Sequence, residues 1–133
     1  MITVRRNKVI LSVILTLIIC IYFIPKVADA QAIKTSVSEI LSNPDKYDGK
    51  MVQVDGKVYS LKFKTSKRGN PYYTFSIRGN SNEALSVFSF GSPPVKNADS
   101  VMVRGVYQKV KHVPPRYTFY NEIDASGGSV EKK

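Results

Sequence analysis

Apolar and polar residues alternate along much of the chain between residues 51 and 124, as they do in strands with one buried face. In the first segment, Met51 to Phe63, Val52, Val54 and Val58 share one face. Four more segments alternate in the same way, at residues 72–78, 84–90, 101–110 and 117–124. The pattern therefore predicts five strands and an all-β fold.

Two glycines lie in the middle of predicted strands, Gly56 in the first and Gly105 in the fourth. Glycine inside a strand indicates a sharp bend or a bulge. A bulge at Gly56 would also explain why the apolar set shifts afterwards to Tyr59, Leu61 and Phe63. Bent strands of this kind favour a small closed barrel, which has no exposed edges.

The strands are preceded by one short helix signal. Ser36 and Glu39 have the spacing of a capping box, and Pro44 ends the helical pattern. At the other end of the chain, residues 127–133 are small or charged, and we expect them to form a disordered tail.

The first 30 residues have the composition of a targeting segment. Arg5, Arg6 and Lys8 precede an apolar run over residues 9–24, and Ala28 and Ala30 stand where a signal peptidase would cut. The segment is either a cleaved signal peptide or an uncleaved membrane anchor through residues 9–24. Both alternatives predict an exported, periplasmic or otherwise extracytoplasmic domain over residues 31–126.

Composition narrows the chemistry of that domain. Cys20 is the single cysteine and His112 the single histidine, so neither a thiolate metal site nor a Cys-His catalytic pair is expected. The sequence has neither a glycine-rich phosphate loop nor a serine elbow. We expect a protein without enzymatic activity, metal or cofactor.

Charge indicates the partner. The chain has a net charge of +10, of which residues 1–30 carry +3, so residues 31–133 retain +7. Such a positive field attracts polyanions.

Three segments carry a resemblance to a known family. They are NPDKYDGKMVQVDGKV at residues 43–58, RGNPYYTFSI at residues 68–77 and SVMVRGVY at residues 100–107. They resemble the first, second and fourth strands of OB-fold domains of the tRNA-anticodon-binding type. The resemblance implies a five-stranded Greek-key barrel with a short N-terminal helix. Its ligand would cross the second and third strands, between the loop joining strands one and two and the loop joining strands four and five.

These two loops and their borders are rich in basic residues, which we expect to contact phosphates. They are Lys62, Lys64, Lys67 and Arg68 on one side, and Lys109, Lys111, His112 and Arg116 on the other. Tyr72 and Phe88 are candidates for stacking on bases, Tyr107 and Tyr117 for the rim, and Arg78 for one more phosphate contact.

The expected ligand is single-stranded nucleic acid or another polyanion, and two alternatives remain. One is an exported OB module that binds an envelope protein, a glycan or the anionic envelope surface. The other is a membrane-anchored haem chaperone of cytochrome c maturation, whose layout is similar. Its His-x-x-x-Tyr motif is not matched, because Tyr117 lies one residue too far from His112.

Overall fold

The computed structural model describes residues 31–133, so the predicted signal peptide or anchor lies outside the described residues. The all-β prediction is confirmed, although the described chain has six strands and not five. Their bounds are β1 Ile33–Lys34, β2 Met51–Thr65, β3 Pro71–Arg78, β4 Ala84–Phe90, β5 Ser100–Val113 and β6 Tyr117–Lys132. The added strand, β1, is only two residues long and pairs in parallel with β2.

The predicted helix begins where its capping signal stands. Helix α1 covers Val37–Ser42, and the Ser36 hydroxyl accepts a hydrogen bond from the Glu39 amide at 3.1 Å. A second short helix, α2, covers Pro44–Tyr47. The Glu39 carboxylate accepts hydrogen bonds from Asn43 Nδ2 and the Tyr47 hydroxyl, and so ties the two helices together.

The pairing of strands forms a closed ring that begins and ends at β2. β2 pairs with β3, β3 with β4, β4 with β6, β6 with β5, and β5 again with β2. Only the β4–β6 contact within this ring is parallel. Buried side chains on the inner faces form one core with the helices, including Val37, Val54, Ile77, Val87, Val103 and Ile123.

The β5–β6 ladder is irregular next to Gly105, although the extra residues belong to β6, and the bulge predicted at Gly56 is displaced. The register of β5 against β6 shifts between Arg104 and Val106, and a side chain on Gly105 would collide with the Asp124 backbone. In β2, however, the register shifts between Tyr59 and Lys62, where Ser60 adopts a φ of 54°. The bulge predicted at Gly56 is therefore wrong in position.

The displaced bulge changes which apolar side chains of β2 are buried. An extra residue reverses the alternation of faces, so Tyr59 and Leu61 do not share the core. Tyr59 is 36% exposed, whereas Leu61 packs against the core. Phe63 lies near the end of the long strand and is 57% exposed.

The disordered tail predicted for residues 127–133 is also wrong. β6 continues to Lys132, and its residues 129–132 pair with residues 101–104 of β5. Val130 packs against the core, and Gly128 allows a close approach because a side chain there would overlap the Arg104 carbonyl. Gly128, one of the small residues that suggested disorder, therefore fits closely against the neighbouring strand.

Neither helix within residues 31–133 has the length and apolar character needed to cross a membrane.

Candidate nucleic-acid interface

A groove with a volume of about 500 Å³ lies on the outer face of β3 and β4. It is bordered by the end of β2 and by the hairpin of β5 and β6. The residues that line the groove are Lys62, Lys64, Tyr72, Thr74, Phe88, Phe90, Lys111, Val113, Phe119, Glu122, Asp124 and Ser126. Five of these twelve were predicted from the sequence: Lys62, Lys64, Tyr72, Phe88 and Lys111.

The alternation of β3 and β4 positions the aromatic residues of the groove. Tyr73, Phe75 and Ile77 are buried in the core, so the even-numbered residues of β3 point outwards. Tyr72 lies opposite Phe90 across the β3–β4 ladder, and Thr74 lies opposite Phe88. Residues 72, 74, 88 and 90 therefore form one continuous outer face.

The three aromatic rings on this face are in contact with one another. The ring centroids of Tyr72 and Phe88 are 5.7 Å apart, and those of Phe88 and Phe90 are 5.1 Å apart in an edge-to-face arrangement. Phe90 is 61% exposed, which makes it the most accessible of the three. Sequence reasoning missed Phe90, although the alternation had placed it on the same face as Phe88.

Lys111 is the central cation of the groove, and carboxylates neutralise it. Its Nζ lies 2.8 Å from Glu122 Oε1 and 4.0 Å from Asp124 Oδ2. The same ammonium lies 4.5 Å from the centroid of Phe88. Lys111 therefore covers one face of the aromatic ring that the sequence nominated for stacking.

The cations at the rim of the groove differ from Lys111 in their surroundings. Lys62 and Lys64 are exposed, and neither forms an ion pair with a carboxylate of residues 31–133. In the β2–β3 ladder they lie opposite Thr74 and Tyr72. Their positive charges are thus next to the exposed aromatic residues and available to an anionic ligand.

Several predicted residues lie outside the groove lining. Lys67 and Arg68 are in the turn between β2 and β3. His112, Arg116 and Tyr117 border a separate depression at the tip of the β5–β6 hairpin, where a ring nitrogen of His112 lies 3.1 Å from the Thr118 hydroxyl.

Two other predicted cations are also elsewhere. Lys109 donates a hydrogen bond to Asp45 at 2.9 Å, and this bond raises the pKa of Lys109 above its ordinary value of 10.5. Arg78 is at the opposite end of β3 from Tyr72, where its guanidinium lies over the ring of Tyr59. The predicted basic positions therefore do not converge on one groove.

The prediction that Tyr107 lies at the rim is wrong. Its side chain is fully buried, and its hydroxyl donates a hydrogen bond to Asn121 Oδ1. Burial raises its pKa above the ordinary value of 10.0, and the nearby charges of Asp48 and Asp45 add to this effect. Tyr107 is therefore part of the core, because it continues the alternation that buries Val103 in the same strand.

The carboxylates that line the groove belong to Glu122 and Asp124. In the structure, Asp124 Oδ1 accepts hydrogen bonds from the amide and hydroxyl of Ser126, and Glu122 binds Lys111. No set of three or more His, Cys, Asp or Glu residues within positions 31–133 is placed to hold a metal ion.

Comparisons with known proteins give a likeness in fold. No protein-family model matches the chain, and no curated protein matches it in sequence. One similar structure is a crystal structure described as an aspartyl-tRNA synthetase from Leishmania major Friedlin, with a TM-score of 0.53 and 15% sequence identity. The match covers 82% of this chain and 22% of the synthetase chain. The chain is thus similar in fold to a part of that protein.

Proposed function

We propose that this protein is a non-enzymatic OB-fold module that binds single-stranded nucleic acid in the groove. The closed order of strand pairing supports the OB assignment, because β6 inserts between β4 and β5 as in a Greek-key barrel. The similarity in fold to part of an aspartyl-tRNA synthetase supports it as well. In an OB-fold the face corresponding to β3 and β4 is where oligonucleotides bind.

The main support for nucleic acid is the placement of accessible aromatic rings beside lysines that form no ion pair within residues 31–133. Tyr72 and Phe90 are cross-strand neighbours, and Lys62 and Lys64 come from the adjacent strand. Proteins that bind single strands combine these two elements, since bases stack on aromatic faces while phosphates meet positive charges. We assign base stacking to Phe90 and Tyr72, and phosphate contacts to Lys62 and Lys64.

We assign Lys111 and its two carboxylates to the edges of bases and not to phosphates. Because Glu122 neutralises Lys111, this lysine contributes little net charge towards a phosphate. Its remaining ammonium donors and the carboxylate oxygens are suited to the edges of bases, which carry both donors and acceptors. Phe88 supports Lys111 and the neighbouring rings.

Export remains part of the proposal and rests on the sequence of residues 1–30. The haem-chaperone alternative has less support, because His112 lies at the hairpin tip and does not line the groove. An envelope protein or another polyanion remains an alternative ligand of the same surface.

The test is fluorescence anisotropy with labelled single-stranded DNA and RNA of mixed sequence, using the full chain at low salt. We expect Phe90→Ala to weaken binding roughly tenfold, since one stacked base contributes about 1–3 kcal/mol. Tyr120→Ala is the matched control, because Tyr120 is 67% exposed and lies outside the groove lining. Absence of binding at micromolar protein would overturn the proposal, as would an equal loss in the control.

A further inference from the structure

A second cleft, with a volume of about 440 Å³, lies at the opposite end of the β2–β3 ladder from the groove. Its lining includes Thr35, Asp55, Lys57, Arg78, Asn80 and Lys133, and none of its residues lines the groove. Arg78 lies six positions after Tyr72 in β3, which corresponds to about 20 Å along a strand. We refer to it below as the Arg78 cleft.

The Arg78 cleft brings two cations together across the sheet. Lys57 and Arg78 are directly opposite each other in the β2–β3 ladder, and both are exposed. Neither forms an ion pair with any carboxylate in the described part of the chain. Like charges directly opposite on neighbouring strands destabilise a sheet. An anion between them would reverse the sign of this contribution.

The neighbouring groups leave these two charges uncompensated. Asp55 lies in the same cleft, but Lys133 Nζ donates a hydrogen bond to its carboxylate at 2.9 Å. The Arg78 guanidinium lies 4.6 Å from the centroid of Tyr59, which restrains a long side chain that would otherwise be free. A guanidinium held on a ring keeps its N–H groups for a ligand in the plane of the fork.

The wall of the cleft also contains a polar atom without a partner. The Thr35 hydroxyl oxygen is buried and makes no hydrogen bond within residues 31–133. Buried hydroxyls are normally hydrogen-bonded, because desolvation without a partner is unfavourable. Asn80 contributes a further polar side chain to the lining.

We propose that the Arg78 cleft binds a small oxyanion of the phosphate class between Lys57 and Arg78. The planar guanidinium binds two phosphate oxygens side by side, and the lysine ammonium adds a point charge. This site does not depend on nucleic-acid binding in the groove. The phosphate group has two possible sources, a free phosphate ion or the backbone of a strand that extends from the groove.

The first experiment titrates the full chain with inorganic phosphate and, at equal ionic strength, with chloride. We expect a saturable rise in Tm with phosphate alone, and saturable NMR shifts of the Gly79 and Asn80 amides. Lys57→Gln and Arg78→Gln should each weaken phosphate binding tenfold or more, whereas Lys50→Gln, at an exposed lysine outside both sites, should not. A response to phosphate no larger than to chloride would overturn the proposal, and so would an unchanged response in both variants.

The second experiment distinguishes the two sources. If the ligand is free phosphate, Arg78→Gln removes the phosphate response and leaves oligonucleotide affinity unchanged. If the strand supplies the phosphate, the same variant also weakens binding of long oligonucleotides, while very short ones keep their affinity. Phe90→Ala separates this proposal from the function proposed for the groove, because the phosphate response should persist in that variant.

Discussion

The groove and the Arg78 cleft both contain basic side chains, but carboxylates compensate the central lysine of the groove and neither cation of the cleft. In the groove, Lys111 is held between Glu122 and Asp124 and lies on the ring of Phe88. In the cleft, Lys57 and Arg78 face each other without an acidic partner within residues 31–133. The net charge of residues 31–133 therefore does not indicate where positive charge is available. The local carboxylates decide that.

The largest expected effect comes from removing the neutralised lysine. Lys111→Met would leave the carboxylate of Glu122, a residue only 5% exposed, without its cation. Loss of one partner of a buried ion pair is strongly destabilising, and we expect the free energy of unfolding to fall by about 2 kcal/mol. Urea denaturation monitored by circular dichroism measures this change.

A matched control for this effect is Lys109→Met, which removes an exposed cation that is bonded to Asp45. We expect no measurable change in stability there, because exposed ion pairs contribute little. Adding Glu122→Gln to Lys111→Met should recover much of the loss. If Lys111→Met proved as stable as the control, Glu122 would not depend on Lys111, and the lysine of the groove would not be compensated in the way proposed.

A smaller effect is expected from the lysines at the rim of the groove. Lys62→Gln and Lys64→Gln should each lower the slope of log affinity for single strands against log salt by about 0.7, because each removes one phosphate contact. Titrations with a labelled oligonucleotide at several salt concentrations measure this slope. Lys109→Gln should leave it unchanged, and equal slopes in all variants would contradict the assignment of phosphates to this rim.

The smallest expected effect is an increase in stability. In phosphate-free buffer at low salt, Lys57→Gln should raise the free energy of unfolding by roughly 0.3 kcal/mol, since it removes a like charge opposite Arg78. Urea denaturation beside Lys50→Gln, which should show no change, tests this expectation. A loss of stability in Lys57→Gln would show that this lysine is compensated in the free protein.

The parts of the fold that could be predicted are those set by local pattern. The alternation of β3 and β4 predicted both the buried set and the outward residues Tyr72 and Phe88 correctly. The bulge at Ser60 could not be predicted, because serine carries no preference for a positive φ and the strain depends on neighbouring strands. The pairing of residues 129–132 with β5 was also hidden, since backbone hydrogen bonds do not depend on an apolar pattern.

In the candidate site, too, the local pattern predicted some residues, whereas the contacts of others depend on the fold. Lys62, Lys64, Tyr72, Phe88 and Lys111 were predicted and meet in one groove. Lys109 and Arg78 were equally basic in sequence, but their partners, Asp45 and Tyr59, are brought to them by the fold. Glu122 and Asp124 alternate on the last strand, but their pairing with Lys111 depends on how β6 lies against β5.

By itself, the sequence determined the all-β class, the start of the first helix, and which faces of β3 and β4 point to solvent. These features follow from residues close together in the chain, through alternation and capping. Only the tertiary structure decided which cations are paired with carboxylates, where the bulge of β2 lies, and that β6 extends to Lys132. The reason is that ion pairing, burial and strand register arise between residues distant in the chain, where a local pattern carries no information.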